Sequence, residues 1–150
     1  MMMNLREYAQ KSVLCWLATT DADATPNVSP KEMFTFVDDE LMLIANIASP
    51  QSEQNIFSNA KVCVSFIDIF EQRGFKVQGI ARVVKAQDSC WEGYLTHLRQ
   101  MADERYPIQS IFEIRVESVA KVQAPSYFLF ADTTPESQVE SALKTYQVER

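Results

Sequence analysis

The sequence predicts a mainly β protein (α+β), with six or seven strands in a closed or partly open antiparallel barrel and helices inserted between them. Three features of the sequence point there. Apolar runs of strand length, alternating or continuous, recur along the chain and are separated by Asp-, Pro- and Gly-containing turns. The runs follow one another mostly as hairpins and not through crossover helices, which fits neither a parallel α/β sheet nor a helical bundle. Closing so many short strands on themselves also removes the sticky edges they would otherwise expose. The 150 residues contain no repeat, linker or low-complexity tract, so residues 1–150 are read as one domain.

Residues 4–11 carry Leu5 and Tyr8 at helical spacing, with Asn4 and Glu7 placed as a capping pair, and predict a first helix. Residues 13–20 are β-rich and stop at a polar turn closed by Pro26. A strand over 27–32 should return antiparallel to it. Strands over 33–37 and 41–45 flank Asp38-Asp39-Glu40 as a second hairpin. Ser49 is a good N-cap and Pro50 suits the first helical position, so a short helix begins there. Residues 62–69 are nearly all apolar, as in a barrel wall, and Arg73-Gly74 is expected to break that strand. Phe75, Val77, Gly79, Ala81 and Val83 then alternate with Lys76, Gln78 and Arg82 in a two-sided strand. Trp91, Tyr94, Leu95, Leu98, Met101 and Ala102 recur at intervals of three and four, predicting an amphipathic helix over 89–105. A long strand over 111–122 should place Phe112, Ile114, Val116 and Val122 on one face, and Glu113, Arg115, Glu117 and Lys121 on the other. Pro125 ends it. Thr134-Pro135 caps a last helix carrying Val139, Leu143 and Tyr146.

Composition narrows the function. A net charge of −6, with 14 basic residues scattered and no Lys/Arg run, argues against nucleic acid or an anionic membrane as the main partner. No apolar run approaches the ~18 residues of a membrane span, and the first seven residues lack the apolar core of a signal peptide, so a cytoplasmic protein is expected. Cys15, Cys63 and Cys90 are odd in number, far apart and outside any CxxC or Cys/His pattern. They read as buried small hydrophobes, not as disulfide or zinc ligands, and no metal site is expected. His97, within the amphipathic helix, reads as an ordinary helix-face residue with no nucleophile elbow near it. Three glycines leave no Walker loop and no GxGxxG. Asp38, Asp39 and Glu40 fall on a hairpin turn, which explains them better than a metal does. None of these patterns names a catalytic residue.

Two segments remain. In the first, Asn46, Ile47, Ser49, Gln51, Ser52 and Asn55 surround the predicted helix start, where unpaired backbone N–H groups and the positive dipole end attract a phosphate. Ser49 and Ser52 add hydroxyl donors, and Gln51 and Asn55 add amides. Taken alone, Ser49-Pro50 reads first as a plain helix start. In the second, Asn27-Val28-Ser29-Pro30-Lys31 places polar residues and a lysine in a strand flanked by apolar runs. Local inconsistency of this kind marks functional sites. Lys31 is suited to neutralise a phosphate or an electron-rich ring edge, or is a solvent-facing lysine on an edge strand.

Together these segments resemble a known family. Trp16-Leu17-Ala18-Thr19-Thr20-Asp21 followed by Pro26-Asn27-Val28-Ser29-Pro30-Lys31 resembles the first hairpin of the pyridoxamine-5′-phosphate-oxidase-like FMN-binding split barrels. Leu43-Ile44-Ala45-Asn46, Ser49, Asn55-Ile56 and Asn59-Ala60-Lys61-Val62 are similar to that family's strand, phosphate loop and short helix. Arg73-Gly74-Phe75-Lys76-Val77-Gln78-Gly79-Ile80-Ala81 is similar to its glycine-containing strand. The resemblance implies a split β-barrel that forms a homodimer, with FMN bound in clefts between subunits. It implies that Val28, Ser29, Pro30 and Lys31 run along the flavin ring, while Asn46, Ile47, Ser49, Gln51, Ser52 and Asn55 hold the ribityl and phosphate groups. Trp91 and the 73–78 stretch are the candidates for closing the ring's other side from the second subunit.

Two departures from the family pattern bear on function. Pro50, Gln51 and Ser52 stand where the family commonly has an Arg or Lys after the serine, a loss of about 1.5–3 kcal/mol of phosphate binding unless Lys31 or another cation substitutes. The chain also ends at Gln147-Val148-Glu149-Arg150 without the family's basic substrate-binding segment, so pyridoxamine phosphate is not the expected substrate. The resemblance implies an FMN-dependent oxidoreductase of an unspecified small molecule. The alternatives are a non-catalytic flavin-binding, sensor or interaction protein, or a barrel using another redox ligand such as haem or a deazaflavin. His97 as the lone histidine makes haem unattractive.

Overall fold

In the computed structural model, which describes residues 5–101 and 103–149, seven strands form one antiparallel sheet. They are β1 (Cys15–Thr20), β2 (Pro26–Lys31), β3 (Phe34–Asp38), β4 (Leu41–Asn46), β5 (Lys61–Asp68), β6 (Arg73–Val84) and β7 (Ser110–Gln123). Their order across the sheet is β2-β1-β5-β6-β7-β4-β3. Strands β2 and β3, consecutive in the chain, therefore occupy opposite edges, with only Glu32 and Met33 between them. So short a link spans no more than about 11 Å from Lys31 to Phe34, so the sheet must curl until its edges meet at that end. Yet among the described residues β2 pairs as a strand only with β1, and β3 only with β4. The outcome is a split antiparallel barrel with one open seam, the mainly β class that the strand pattern predicts.

The barrel interior is filled by alternate residues of the strands, among them Leu17, Phe34, Phe66, Val77, Phe112 and Ile114. Helix α1 (Leu5–Lys11) buries Leu5 and Tyr8 in this core, and α2 (Pro50–Ser58) adds Ile56. Helix α3 (Trp91–Arg99) packs outside β3 and β4, where Trp91 and Leu98 join Leu43, Val84 and Ile111 in a second, smaller core. After β7 come a single turn, α4 (Ser126–Leu129), and α5 (Pro135–Tyr146). Prolines 26 and 30 sit on the edge strand β2, where a missing N–H costs no ladder bond and blunts further pairing.

Several expectations need correction. The Asn4 cap and Ala102 lie outside the described residues. Arg73-Gly74 does not break a strand but opens β6; the turn is residues 69–72, with Gln72 left-handed at φ 56°. Gly74 serves close approach instead, because a Cβ there would stand 2.0 Å from the Phe66 carbonyl oxygen. Helix α3 ends at Arg99 and not at 105, because the Arg99 guanidinium donates to the carbonyls of Asp103 (2.6 Å) and Tyr106 (3.0 Å) and ties the chain into a loop. Val122 is not on the core face: the β6–β7 register shifts between Gln78 and Gly79, so Val119 packs on the core while Val122 pairs with Gly74. Helix α4 was not expected. Cys15 is buried as expected, whereas Cys63 and Cys90 are only half-buried; all three are free thiols. The Thr134 cap is present, as a reciprocal box with Ser137.

Candidate functional site

The β1–β2 ladder decides which β2 side chains face inward. Cys15 pairs with Lys31 and Leu17 with Ser29. Cys15 and Leu17 are wholly buried, so Lys31 and Ser29 project to the interior beside the seam, while Val28 and Pro30 turn outward with Trp16 and Ala18. Lys31 is only 5% exposed. Its ammonium donates to the Ser29 hydroxyl, which lies 3.2 Å from Ser52 Oγ on α2. Among the described residues it has no carboxylate partner. Burial pulls the Lys31 ammonium below the ordinary lysine range, with Cys15 opposing. A buried cation supported only by hydroxyls is prepared for an anion.

The start of α2 is braced from behind. Asn46 Oδ1 accepts the Ser49 N–H at 2.8 Å, and its Nδ2 donates to Ser110 Oγ at 2.9 Å. Ser110 Oγ and Lys85 Nζ donate to Glu53 Oε1 at 2.7 and 2.8 Å. The Lys85 hydrogen bond, helped by Ser110, holds the Glu53 carboxyl below its usual range against the opposing effect of burial. Ser49 occupies the N-cap position, but its hydroxyl makes no capping bond; the loop conformation is set by Asn46 instead. Gln51 donates to Asn55 Oδ1 (2.8 Å) and Asn55 to Thr19 Oγ1 (3.0 Å), which fastens α2 to β1.

These pieces meet at a groove of about 730 Å³ along the seam, walled by Pro30, Lys31, Ile47 and Ser49 and, from the loop after α3, by Met101 and Tyr106. Four of the ten residues singled out from the sequence thus line one space. Ser29 and Ser52 stand behind Lys31, Asn46 braces Ser49, Gln51 and Asn55 tie the helix down, and Val28 is 59% exposed on the outer face. Within this chain, Trp91 is buried in the second core and Arg73 lies between the Tyr8 and Tyr127 rings, paired with Glu71. Sequence reasoning missed Met101 and Tyr106; the signal available was an aromatic followed by proline at the end of a polar stretch, residues 103–107. His97, on α3, does not line the groove.

Elsewhere, Asp38 Oδ1 accepts the Glu40 N–H at 2.8 Å, ordinary turn chemistry. Among the described residues no three His, Cys, Asp or Glu side chains converge as metal ligands, and no helix is long and apolar enough to cross a membrane.

The chain belongs to the pyridoxamine 5′-phosphate oxidase family, whose model matches residues 1–123. Solved structures agree on the fold. HupZ from Group A Streptococcus superposes with a TM-score of 0.70 at 22% identity, covering 83% of this chain and 95% of that one. An FMN-binding protein from Syntrophomonas wolfei gives 0.69 at 12% identity, covering 82% and 86%. HutZ, the haem storage protein of Vibrio cholerae, gives 0.65 at 20% identity, covering 81% and 93%. At these identities the likeness is one of fold, and these relatives differ in what they carry. A comparison with curated proteins finds no match.

Proposed function

We propose that the seam groove binds FMN and that the protein is an FMN-dependent oxidoreductase acting on a small molecule. The observation that carries this reading is Lys31, a buried cation without a carboxylate, set in the same groove as the start of α2. The donor set fits the cofactor. Apolar walls at Pro30, Ile47 and Met101 suit a planar ring, and the volume lies within the roughly 300–1,000 Å³ of small-molecule sites. The unbonded Ser49 hydroxyl, the first N–H groups of α2 and the Lys31 ammonium suit an anionic tail, with Lys31 replacing the cation that the loop lacks. When bound, FMN supplies electron transfer; the chain's residues hold it, orient it and exclude water.

Calorimetric titration with FMN and riboflavin tests the site. FMN should bind about tenfold or more tightly than riboflavin, the value of one charge-assisted contact. Equal affinities would remove the phosphate from the groove, and no binding of either would overturn the reading. Ser49→Ala should weaken FMN by about 1 kcal/mol with little loss in the thermal midpoint, since its hydroxyl caps nothing. A helix-start role predicts the reverse. Tight binding without reduction by nicotinamide or thiol donors would favour a non-catalytic flavin carrier.

The proposal includes a homodimer. Val13, Trp16 and Val28 are 80%, 45% and 59% exposed, an unusual apolar load for β1, β2 and their approach, and Val13 also borders the groove. Three free thiols suit a reducing cytoplasm.

A further inference from the structure

The groove has a wall that comes from neither segment expected to hold the ligand. Residues 100–101 and 103–109 lie between α3 and β7, and they carry Met101 and Tyr106 to the groove that Lys31 and Ile47 line. Both side chains keep large free surfaces, 45% and 48% exposed, and the Tyr106 hydroxyl has no partner among the described residues. The backbone beneath them is fixed. Arg99 Nη1 donates to the carbonyl oxygens of Asp103 and Tyr106 at 2.6 and 3.0 Å. The Asp103 carboxylate in turn accepts from the Arg105 N–H at 2.9 Å and its Nη2 at 2.7 Å. A loop held by its own carbonyls and carboxylate, presenting an unengaged aromatic to a cavity, is preorganised for a partner it does not yet touch. Of the aromatic residues, Tyr106 of this loop lines the groove.

We propose that Tyr106, seconded by Met101, is the ring-facing wall of the groove and selects a planar aromatic ligand by stacking on it. The inference rests on the reading that the groove holds a flavin, and it adds a specificity residue to that site. Aromatic stacking contributes through area and ring quadrupole, and a thioether beside a ring edge adds dispersion. Arg99 is a positioning residue: it touches no ligand and acts through the loop.

Flavin emission separates the roles, because a tyrosine in contact with an excited flavin quenches it and a leucine or phenylalanine does not. Riboflavin and FMN would be titrated into the full-length wild type and into the Tyr106→Leu, Tyr106→Phe and Arg99→Ala variants, following emission and affinity together. Wild type should bind with strongly quenched emission. Tyr106→Leu should recover the emission and bind about tenfold more weakly, whereas Tyr106→Phe should recover emission with affinity within about threefold. Arg99→Ala should weaken binding and raise emission with Tyr106 still present. Because Tyr106 is half-exposed, the two Tyr106 variants should melt like wild type. A Tyr106→Leu protein that binds and quenches as wild type does overturns the wall while leaving the flavin site standing. A wild type that binds neither flavin overturns both.

Discussion

Lys31 is a poor structural residue. The residue is 5% exposed, its ammonium leans on a serine hydroxyl, and it faces Cys15 across the ladder with no carboxylate partner among the described residues. Burial therefore disfavours its charged form in the folded chain, with Cys15 opposing. Because the folded pKa lies below the unfolded value, the charge is a liability at neutral pH, and stability rises as pH climbs from the lowered pKa toward 10.5. Lys31→Met should therefore leave the ligand-free protein as stable or more stable, by about 1 kcal/mol, and flatten the alkaline rise in melting temperature. The same change should weaken FMN by about 1.5–3 kcal/mol in a calorimetric titration. A destabilised ligand-free variant would make Lys31 a structural bracket instead. This residue was legible beforehand because a lysine in an otherwise apolar setting contradicts its surroundings. Tyr106 was not, since its arrival at the groove depends on where a loop lands and on Arg99 pinning it, and neither leaves a periodic trace.

Between elements, the sharpest constraint is β5 against β6. A methyl at Gly74 would meet Phe66 O at 2.0 Å and Ile67 Cα at 2.7 Å, both backbone, whereas a methyl at Gly93, inside α3, meets nothing within 4 Å. Gly74→Ala should cost about 1–3 kcal/mol or more, and Gly93→Ala should gain about 0.5–1 kcal/mol, both read from denaturant melts. In the sequence Gly74 reads as a breaker between two strands; only the facing Phe66 carbonyl shows that it serves close approach. The parity of β7 is hidden for a related reason: a register shift moves Val122 off the core face, and single-strand alternation does not encode its partner's bulge. The helix starts were plainer, because Ser49-Pro50 and Thr134-Pro135 carry their own backbone chemistry. A second junction joins α1, β6 and α4 through Glu71, which accepts from Tyr8 (2.7 Å), Lys11 (2.8 Å) and Arg73 (2.9 Å) while its carbonyl accepts from Tyr127 (2.6 Å). Burial alone would raise this carboxyl, but hydrogen bonds from Lys11, Tyr8 and Arg73 prevail and hold it at about 2. Its stabilisation is thus present above about pH 4.5 and lost as pH falls through about 2. Glu71→Gln should lose roughly 1–3 kcal/mol at pH 7, discounted because Lys11 and Arg73 are partly exposed, and should show a shallower stability slope in acid.

For the whole molecule, light scattering at micromolar concentration should give about twice the 17.1 kDa chain mass, and Trp16→Glu should return it to the monomer without unfolding it. The barrel class was legible because strand lengths and turns repeat along the whole chain; the seam was not, because strand order across a sheet is a long-range property. That seam has a kinetic side. Among the described residues, edge strand β2 has a backbone ladder on one flank only, to β1, with a single Ser29–Ser52 hydroxyl contact to α2, and its far end is leashed to β3 through Glu32 and Met33. Peeling β2 away would unzip one ladder and leave β5, β6 and β7 untouched, so the cheapest local opening of the barrel is also the one that uncovers Lys31. Amide exchange in β2 should accordingly outpace that in β6 and slow sharply once the groove is filled. The rate at which a ligand arrives and departs would then be set by the breathing of one short strand, not by diffusion into a preformed hole.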